Sequence, residues 1–350
     1  MIGGLALEGN TDMFIRTLFL IATLLLFSEF SYALTLKVAA LSPDGSTWMR
    51  ELRKGAEEIK TQTQGRVKFK FYPGGVMGDD KTVLRKMRVK QLHGAAFSNG
   101  SLNKHFPDIQ IYNLVMKFRS LEEVDYVRQK MDQTIIKGLE DNGLVSFGIS
   151  EIGFAYLMSQ KPIRSINELR ARKVWIPEGN TVAAEAVSAF SVTPIPLPLR
   201  DVLVALQTSM VDTVAGSPIG ALTLQWHTQV NYLTQLPLSY IYGVLALDKK
   251  MFSKISLDDQ KIVRTVLSRV SEKLDKLARE DNIKAMEAIK KQGIKIVTPT
   301  EEASRELAEL IAPANHRLTK SGKLSEVSVQ HLEKHLNDYR NKVVETNATQ

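Results

Sequence analysis

Few residues in this chain could serve as a catalyst. None of its 350 residues is cysteine, which removes thiolate nucleophiles, disulfides and the lipidated cysteine of a bacterial lipoprotein anchor. No Gly-x-Ser-x-Gly turn presents a serine, and no carboxylate pair stands at a strand end as an acid–base couple would. Asp201 and Asp212 are close in sequence, but helix capping and a turn account for them. Six histidines occur, at 93, 105, 227, 316, 331 and 335. Only His331 and His335 share a helix face, and two ligands flanked by Lys and Glu do not close a metal site. Gly74-Gly75-x-x-Gly78 matches neither phosphate-loop pattern and reads as a turn. The expectation is no enzyme, no cofactor and no metal.

Binding chemistry is better represented. Six aromatic residues, Trp48, Phe97, Phe154, Trp175, Trp226 and Tyr240, are candidate pocket walls, though each could equally be core. Two polar candidates join them. Asn99, in Phe97-Ser98-Asn99-Gly100-Ser101, follows a strand, where ligands of α/β sheets bind. Ser217, followed by Pro218, reads as an N-cap with proline at the first helical position. That helix end would point free N–H groups at a ligand, and Ser46 offers the same further upstream.

The elements that position them alternate. From Glu168 to Trp226 the β runs Val174–Ile176, Val192–Pro196 and Val211–Val214 enclose helical patterns at Thr181–Phe190 and Arg200–Thr208. This is β-α-β-α-β, favouring a parallel sheet with helices on its faces. The carboxyl ends of two runs, Trp175–Glu178 and Val214–Ser217, face the expected site. A similar alternation occupies the N-terminal part. Strands are predicted at 34–41, 67–72, 92–97 and 144–151, and helices at 46–63, 79–90 and 121–138. Val230–Leu247 reads as extended chain returning between the two parts.

Ser256–Gln292 carries apolar residues at spacings of three and four, behind a Ser256-x-x-Asp259 cap. About 36 residues would make a helix of roughly 54 Å, longer than the ~30 Å of a small domain, so it should lie along both lobes. The alternative is two helices broken near Glu280–Asn282, where the apolar spacing lapses. A short strand, Ile294–Val297, and helices at Thr300–Asn315 and Ser328–Val344, packed on the second lobe, complete the chain.

Several stretches resemble the solute-binding protein of TRAP transporters, the tripartite ATP-independent periplasmic carriers of the DctP family. They are INELRARKVWIPEG, PLPLRDVLVALQTSMVDT and SPIGALTLQW, preceded by FYPGGVMGDD and by SLEEV after a Phe. The block ALQTxxVD at Ala205–Asp212 is the most specific. The resemblance extends over nearly the whole chain after residue 34. It implies an α/β, two-lobed, periplasmic binding protein type II-like fold with a hinge of crossing strands and a long helix spanning both lobes. Lobe one would comprise residues 34–152 and 241–280, and lobe two 153–240 and 281–345. It implies capture of a small organic solute, an organic acid or a more apolar compound, and delivery to TRAP membrane subunits. A soluble receptor presenting its ligand to a membrane sensor is the alternative. The family usually has an Arg two residues before the Pro of the strand at Lys173–Pro177, where it clamps a substrate carboxylate; here Trp175 stands there. The family's Asn after the second strand is missing too, its region being Ala215, Gly216 and Ser217. A pocket richer in aromatic and apolar surface is therefore expected.

The N-terminus reads as a signal peptide. Arg16 precedes the apolar run Leu18–Phe27, and Ser31-Tyr32-Ala33 supplies small residues for cleavage after Ala33. Met13 is the better start, since residues 1–12 carry Glu8 and Asp12; an uncleaved anchor is the alternative. The whole chain has 46 basic and 38 acidic residues, net +8. Residues 1–33 hold Arg16 against Glu8, Asp12 and Glu29, so the mature chain has 45 and 35, net +10. The basic residues are scattered among acidic ones with no aromatic-interleaved tract, so no nucleic-acid partner is expected. The expected form is a periplasmic monomer without a lipid anchor.

Overall fold

The computed structural model describes residues 33–348; apart from Ala33, the expected signal peptide lies outside them. The first lobe opens with β1 (Leu34–Ala40), α1 (Thr47–Gln62), β2 (Val67–Tyr72), α2 (Asp80–Arg88) and β3 (Gly94–Ser98). Both helices start where a side chain can hold a free N–H. Ser46 Oγ accepts from Met49 N–H at 3.3 Å, and Asp79 Oδ1 from Thr82 N–H at 2.8 Å. The three strands pair in parallel, β2-β1-β3. Two 3₁₀ turns, Asn99–Leu102 and Pro107–Asn113, lead to α3 (Leu121–Asp141), capped by Ser120.

The strand expected over 144–151 is two strands, β4 (Leu144–Ser146) and β5 (Ser150–Ser159). They part at Gly148, where a Cβ would lie 2.4 Å from Ser271 Oγ. The backbone passes so close to a neighbouring helix that no side chain fits. The second lobe follows: α4 (Ile166–Arg170), β6 (Trp175–Pro177), α5 (Thr181–Ala189), β7 (Ile195–Leu197), α6 (Val202–Gln207), β8 (Thr213–Gly216) and α7 (Pro218–Thr223). The weak run expected at Val192–Pro196 is paired only from Ile195 onward, as Val192 is buried in the approach to the strand. β6 and β7 form their own parallel ribbon, joined to β8 by one parallel bridge, Val174 to Thr213.

β9 (Tyr232–Asp248) ties the lobes together. It runs antiparallel to β3 and β4 in the first lobe and to β5 along most of its length. The main sheet therefore reads β2-β1-β3-β9-β5-β8. Where β5 and β9 cross between lobes, their register slips twice, between Glu151 and Gly153 and between Ala155 and Leu157. After α8 (Lys249–Phe252) comes α9 (Leu257–Lys291), one unbroken helix of 35 residues, about 52 Å long. It packs on α1 in the first lobe, on β5 at the crossing and on α7 in the second.

The chain closes with β10 (Lys295–Val297), α10 (Glu301–Lys320) and α11 (Glu326–Ala348). α10 packs on α5 in the second lobe, as expected. α11 does not: it returns to the first lobe and lies on α3. Leu332 and Leu336 are buried there in one cluster with Val124 and Val127, and Arg340 Nε donates to Glu123 Oε1 at 2.7 Å. Among the described residues no helix is long and apolar enough to cross a membrane.

Candidate functional site

A cavity of about 560 Å³ lies between the lobes, within the size range of small-molecule sites. Its walls are the carboxyl ends of parallel strands. β1 leads to residues 41–43 and 45–48, β3 delivers Phe97 and Ser98, β6 delivers Trp175, Pro177 and Glu178, and β8 delivers Ala215 to Ser217. The crossing strands supply Glu151, Ser239 and Ile241, and α9 supplies Ala278 and Asp281. This is the edge at which α/β sheets bind ligands.

Five of the eight residues singled out from the sequence line this cavity: Trp48, Phe97, Trp175, Ser217 and Trp226. Trp175 is only 3% exposed. Its ring meets Trp226 edge to face, centroids 5.2 Å apart at 71°. Its indole N–H donates to the Leu197 carbonyl at 3.0 Å, so its one donor is spent on β7 and the ring offers apolar surface. Asn99 opens the 3₁₀ turn after β3, and its side chain is outside what the structure describes. Phe154 and Tyr240, expected at the pocket wall, do not line the cavity. Side chains alternate along a strand, and Ser239 and Ile241 face the cavity, so Tyr240 faces away and is 0% exposed. Phe154 packs edge-on against it, centroids 6.0 Å apart, on that same side.

The helix end at Ser217 is also not the anion trap expected. Pro218 has no N–H. The Ile219 N–H donates to Asn282 Oδ1 at 3.1 Å, Gly220 N–H to Ser217 Oγ at 3.1 Å, and Ala221 N–H to the Ser217 carbonyl at 2.9 Å. All three of these N–H groups are paired within the chain, one of them to a residue of α9. At α1, the Thr47 hydroxyl donates to Asp281 Oδ2 at 2.6 Å, so a carboxylate of this chain already stands at that positive end.

The model of bacterial extracellular solute-binding protein family 7, DctP, matches residues 38–321. The chain belongs to this family. The sialic acid-binding periplasmic protein SiaP of Vibrio cholerae is 22% identical, over 82% of this chain and 89% of its own length. A TRAP periplasmic solute-binding protein of Pseudomonas putida, solved with bound D-glucuronate, is 19% identical. It superposes with a TM-score of 0.78 over 85% of this chain and 96% of that one. The sugar acid binding protein DctPAm of Advenella mimigardefordensis, in complex with galactonate, is also 19% identical. It gives a TM-score of 0.81 over 88% and 99%.

In this DctP-family chain the charges around the cavity are mostly negative. Glu151, Glu178 and Asp281 line it, and among the described residues the one lining cation is Arg50, at the exposed rim. Arg50 is already engaged: it donates to the Gly45 carbonyl and, at 2.9 Å, to Thr47 Oγ1. Glu151, 1% exposed, belongs to a buried network beneath the strand crossing. Arg279 Nη2 donates to it at 2.9 Å, and the Tyr240 hydroxyl donates at 3.2 Å. Arg128 joins the network through Asp132 and Asp275, each at 3.0 Å, and donates to the Tyr240 hydroxyl at 2.9 Å. Burial pushes the carboxyls of Glu151, Asp132 and Asp275 upward, against the pull of the two arginines. This network ties α3, β5, β9 and α9 together at the hinge.

Sequence reasoning missed Asn113, Asp281 and Asn282. The two on α9 did leave a trace. The apolar spacing lapses at Glu280–Asn282 because the helix there faces the cavity and the strand crossing rather than core. Asn282 Nδ2 donates to the Ile152 carbonyl at 2.7 Å, fastening α9 to β5 as its Oδ1 fastens α7.

Proposed function

We propose that this protein captures a small organic solute between its lobes and delivers it to the membrane subunits of a TRAP transporter, and that the solute is neutral or cationic with a flat apolar face rather than a sugar acid. The family and the cavity at the strand ends support the receptor reading. The observation carrying the solute class is Trp175. A buried indole with its N–H already bonded occupies the strand position where the family resemblance expects a carboxylate-clamping arginine. An indole cannot neutralise a carboxylate. The helix end at Ser217 has no spare N–H groups, and three carboxylates line the same space. A sugar acid would be desolvated there without a buried cation to receive it.

Native mass spectrometry of the protein purified without denaturation identifies the solute it carries. A neutral or amine-bearing compound with an apolar face is expected; a sugar acid overturns the solute class. Titration calorimetry with D-glucuronate then compares the wild type with Trp175→Arg, folding being checked by circular dichroism. The variant is expected to gain affinity at least tenfold, and an unchanged or weaker affinity in a folded variant removes Trp175 from the binding wall.

A further inference from the structure

Behind Trp175 the second lobe contains a smaller chamber of about 100 Å³. It is lined by Leu157 of β5, Val174 just before β6, Val187 of α5 and Phe190 just after it, and Leu236 and Leu238 of β9. Its polar lining residues are Arg164, Ser165, Thr234 and Ser239; Arg164 is exposed and pairs with Glu168 at 3.7 Å. Ser165 Oγ accepts from the Glu168 N–H at 3.3 Å, and the Thr234 hydroxyl donates to the Ile163 carbonyl at 3.0 Å. The chamber is not isolated. Ala155, Trp175, Pro177, Ala183, Ala215 and Ser239 line both it and the main cavity. Apart from the indole, the partition is made of small side chains, so an opening between the two spaces needs little movement.

A second observation is a buried acceptor at the main cavity. Asn113, 5% exposed, lines the main cavity, and its Oδ1 is buried without a hydrogen-bond partner. Its Nδ2 donates to the Tyr240 carbonyl at 2.7 Å, which fixes the orientation of the amide and leaves Oδ1 as the open acceptor. Tyr240 follows Ser239 of the partition, and Val115, two residues beyond Asn113, lines the chamber. A buried acceptor left without a donor costs about 1–3 kcal/mol, and a donor on an incoming ligand would remove that cost. A dry apolar cavity of about 150 Å³ takes up benzene; a phenyl or branched alkyl group entering through the neck meets the same kind of environment.

We infer that the chamber behind Trp175 is a subsite for an aryl or branched alkyl group of the solute, whose polar end donates a hydrogen bond to Asn113 Oδ1. This rests on the reading of the main cavity as the solute site, and it adds the shape of the solute: one apolar end, one donor, no carboxylate.

Benzamide, acetamide and benzoate serve as probes in titration calorimetry of the whole protein. Benzamide is expected to bind at least tenfold more tightly than acetamide, which lacks the ring, and than benzoate, which lacks the donor. Filling the chamber with Ala215→Leu, on a strand, or Ala183→Leu, on a helix, should abolish the advantage of benzamide over acetamide. If one variant fails to fold, the other decides. Asn113→Leu should weaken benzamide at least fivefold. Equal affinity for benzamide and acetamide in the wild type, or an advantage surviving both fillings, overturns the proposal. Benzene alone, followed by methyl NMR, should shift Val187 and Leu236; no shift also overturns it. A sugar acid found by native mass spectrometry would overturn the solute class proposed above while leaving the benzene result standing.

Discussion

Arg128→Met should be among the most damaging single changes in this protein, and its damage should depend on pH. The guanidinium is buried and holds Asp132 and Asp275 at 3.0 Å each, donates to the Tyr240 hydroxyl at 2.9 Å and to the Ile149 carbonyl at 2.6 Å. Methionine fills most of the volume but leaves two carboxylates in the interior without their nearest cation. Removing one partner of a buried ion pair costs about 3–5 kcal/mol. Both carboxyls are already pushed up by burial, and Arg128 is among the groups holding them down. Without it they rise further. A carboxyl whose folded-state pKa exceeds its unfolded value takes up a proton more readily when folded. Its favourable contribution is complete below the unfolded value and is lost as pH rises through the folded one. The variant should therefore lose most at neutral and alkaline pH and recover part of the loss on acidification. Urea midpoints for both proteins at about pH 8 and pH 5.5 measure this. A loss below about 1 kcal/mol, or one equal at the two pH values, would refute the account of the hinge as a charge network balanced by this arginine.

Two other positions test the close approaches around the cavity. A Cβ at Gly243 would lie 2.6 Å from the Trp48 ring and 3.3 Å from the Phe97 carbonyl. In Gly243→Ala the indole must move about 1 Å into the cavity, at a cost of about 1–3 kcal/mol, with a shifted tryptophan emission; an unchanged spectrum would show that Trp48 does not border Gly243 as described. Asn282→Ala removes the bonds that fasten α9 to the Ile152 carbonyl and the Ile219 N–H, and should cost about 1–3 kcal/mol in urea midpoint. It also frees an N–H at the end of α7, so D-glucuronate, measured by calorimetry, should bind no more weakly than to the wild type; weaker binding would contradict the assignment of that N–H to Asn282.

Local periodicity carried most of the fold. The 35-residue α9 announces itself through its apolar spacing and its Ser256 cap, and the alternation of strands and helices sets out both lobes. Two features were out of reach for local signals. The break at Gly148 depends on Ser271, more than a hundred residues away, approaching where a side chain would stand. The docking of α11 on α3 depends on complementary stripes whose partner no periodicity names. Each is a matter of tertiary contact, which acts only once the chain has folded.

The cavity was legible in its aromatic residues and illegible in its polar ones, for a related reason. An indole is large and rare, so a pocket built at strand ends draws attention to Trp48, Trp175 and Trp226. Whether a polar group is open to a ligand depends on who has claimed it. Ser217 reads as a donor-rich helix end, yet Asn282, from a helix sixty residues further on, takes one N–H and the serine itself another. Asn113 reads as an ordinary polar residue, yet it lines the cavity and its Oδ1 is buried without a hydrogen-bond partner. The sequence sets out which groups can bond; the fold distributes them among partners, and specificity lies in the remainder. That remainder here is apolar surface and an acceptor. Among the described residues, the charged groups lining the cavity are three carboxylates and Arg50, which sits at the exposed rim. That composition is what underlies the proposal of a solute that brings a donor and an apolar face rather than a negative charge.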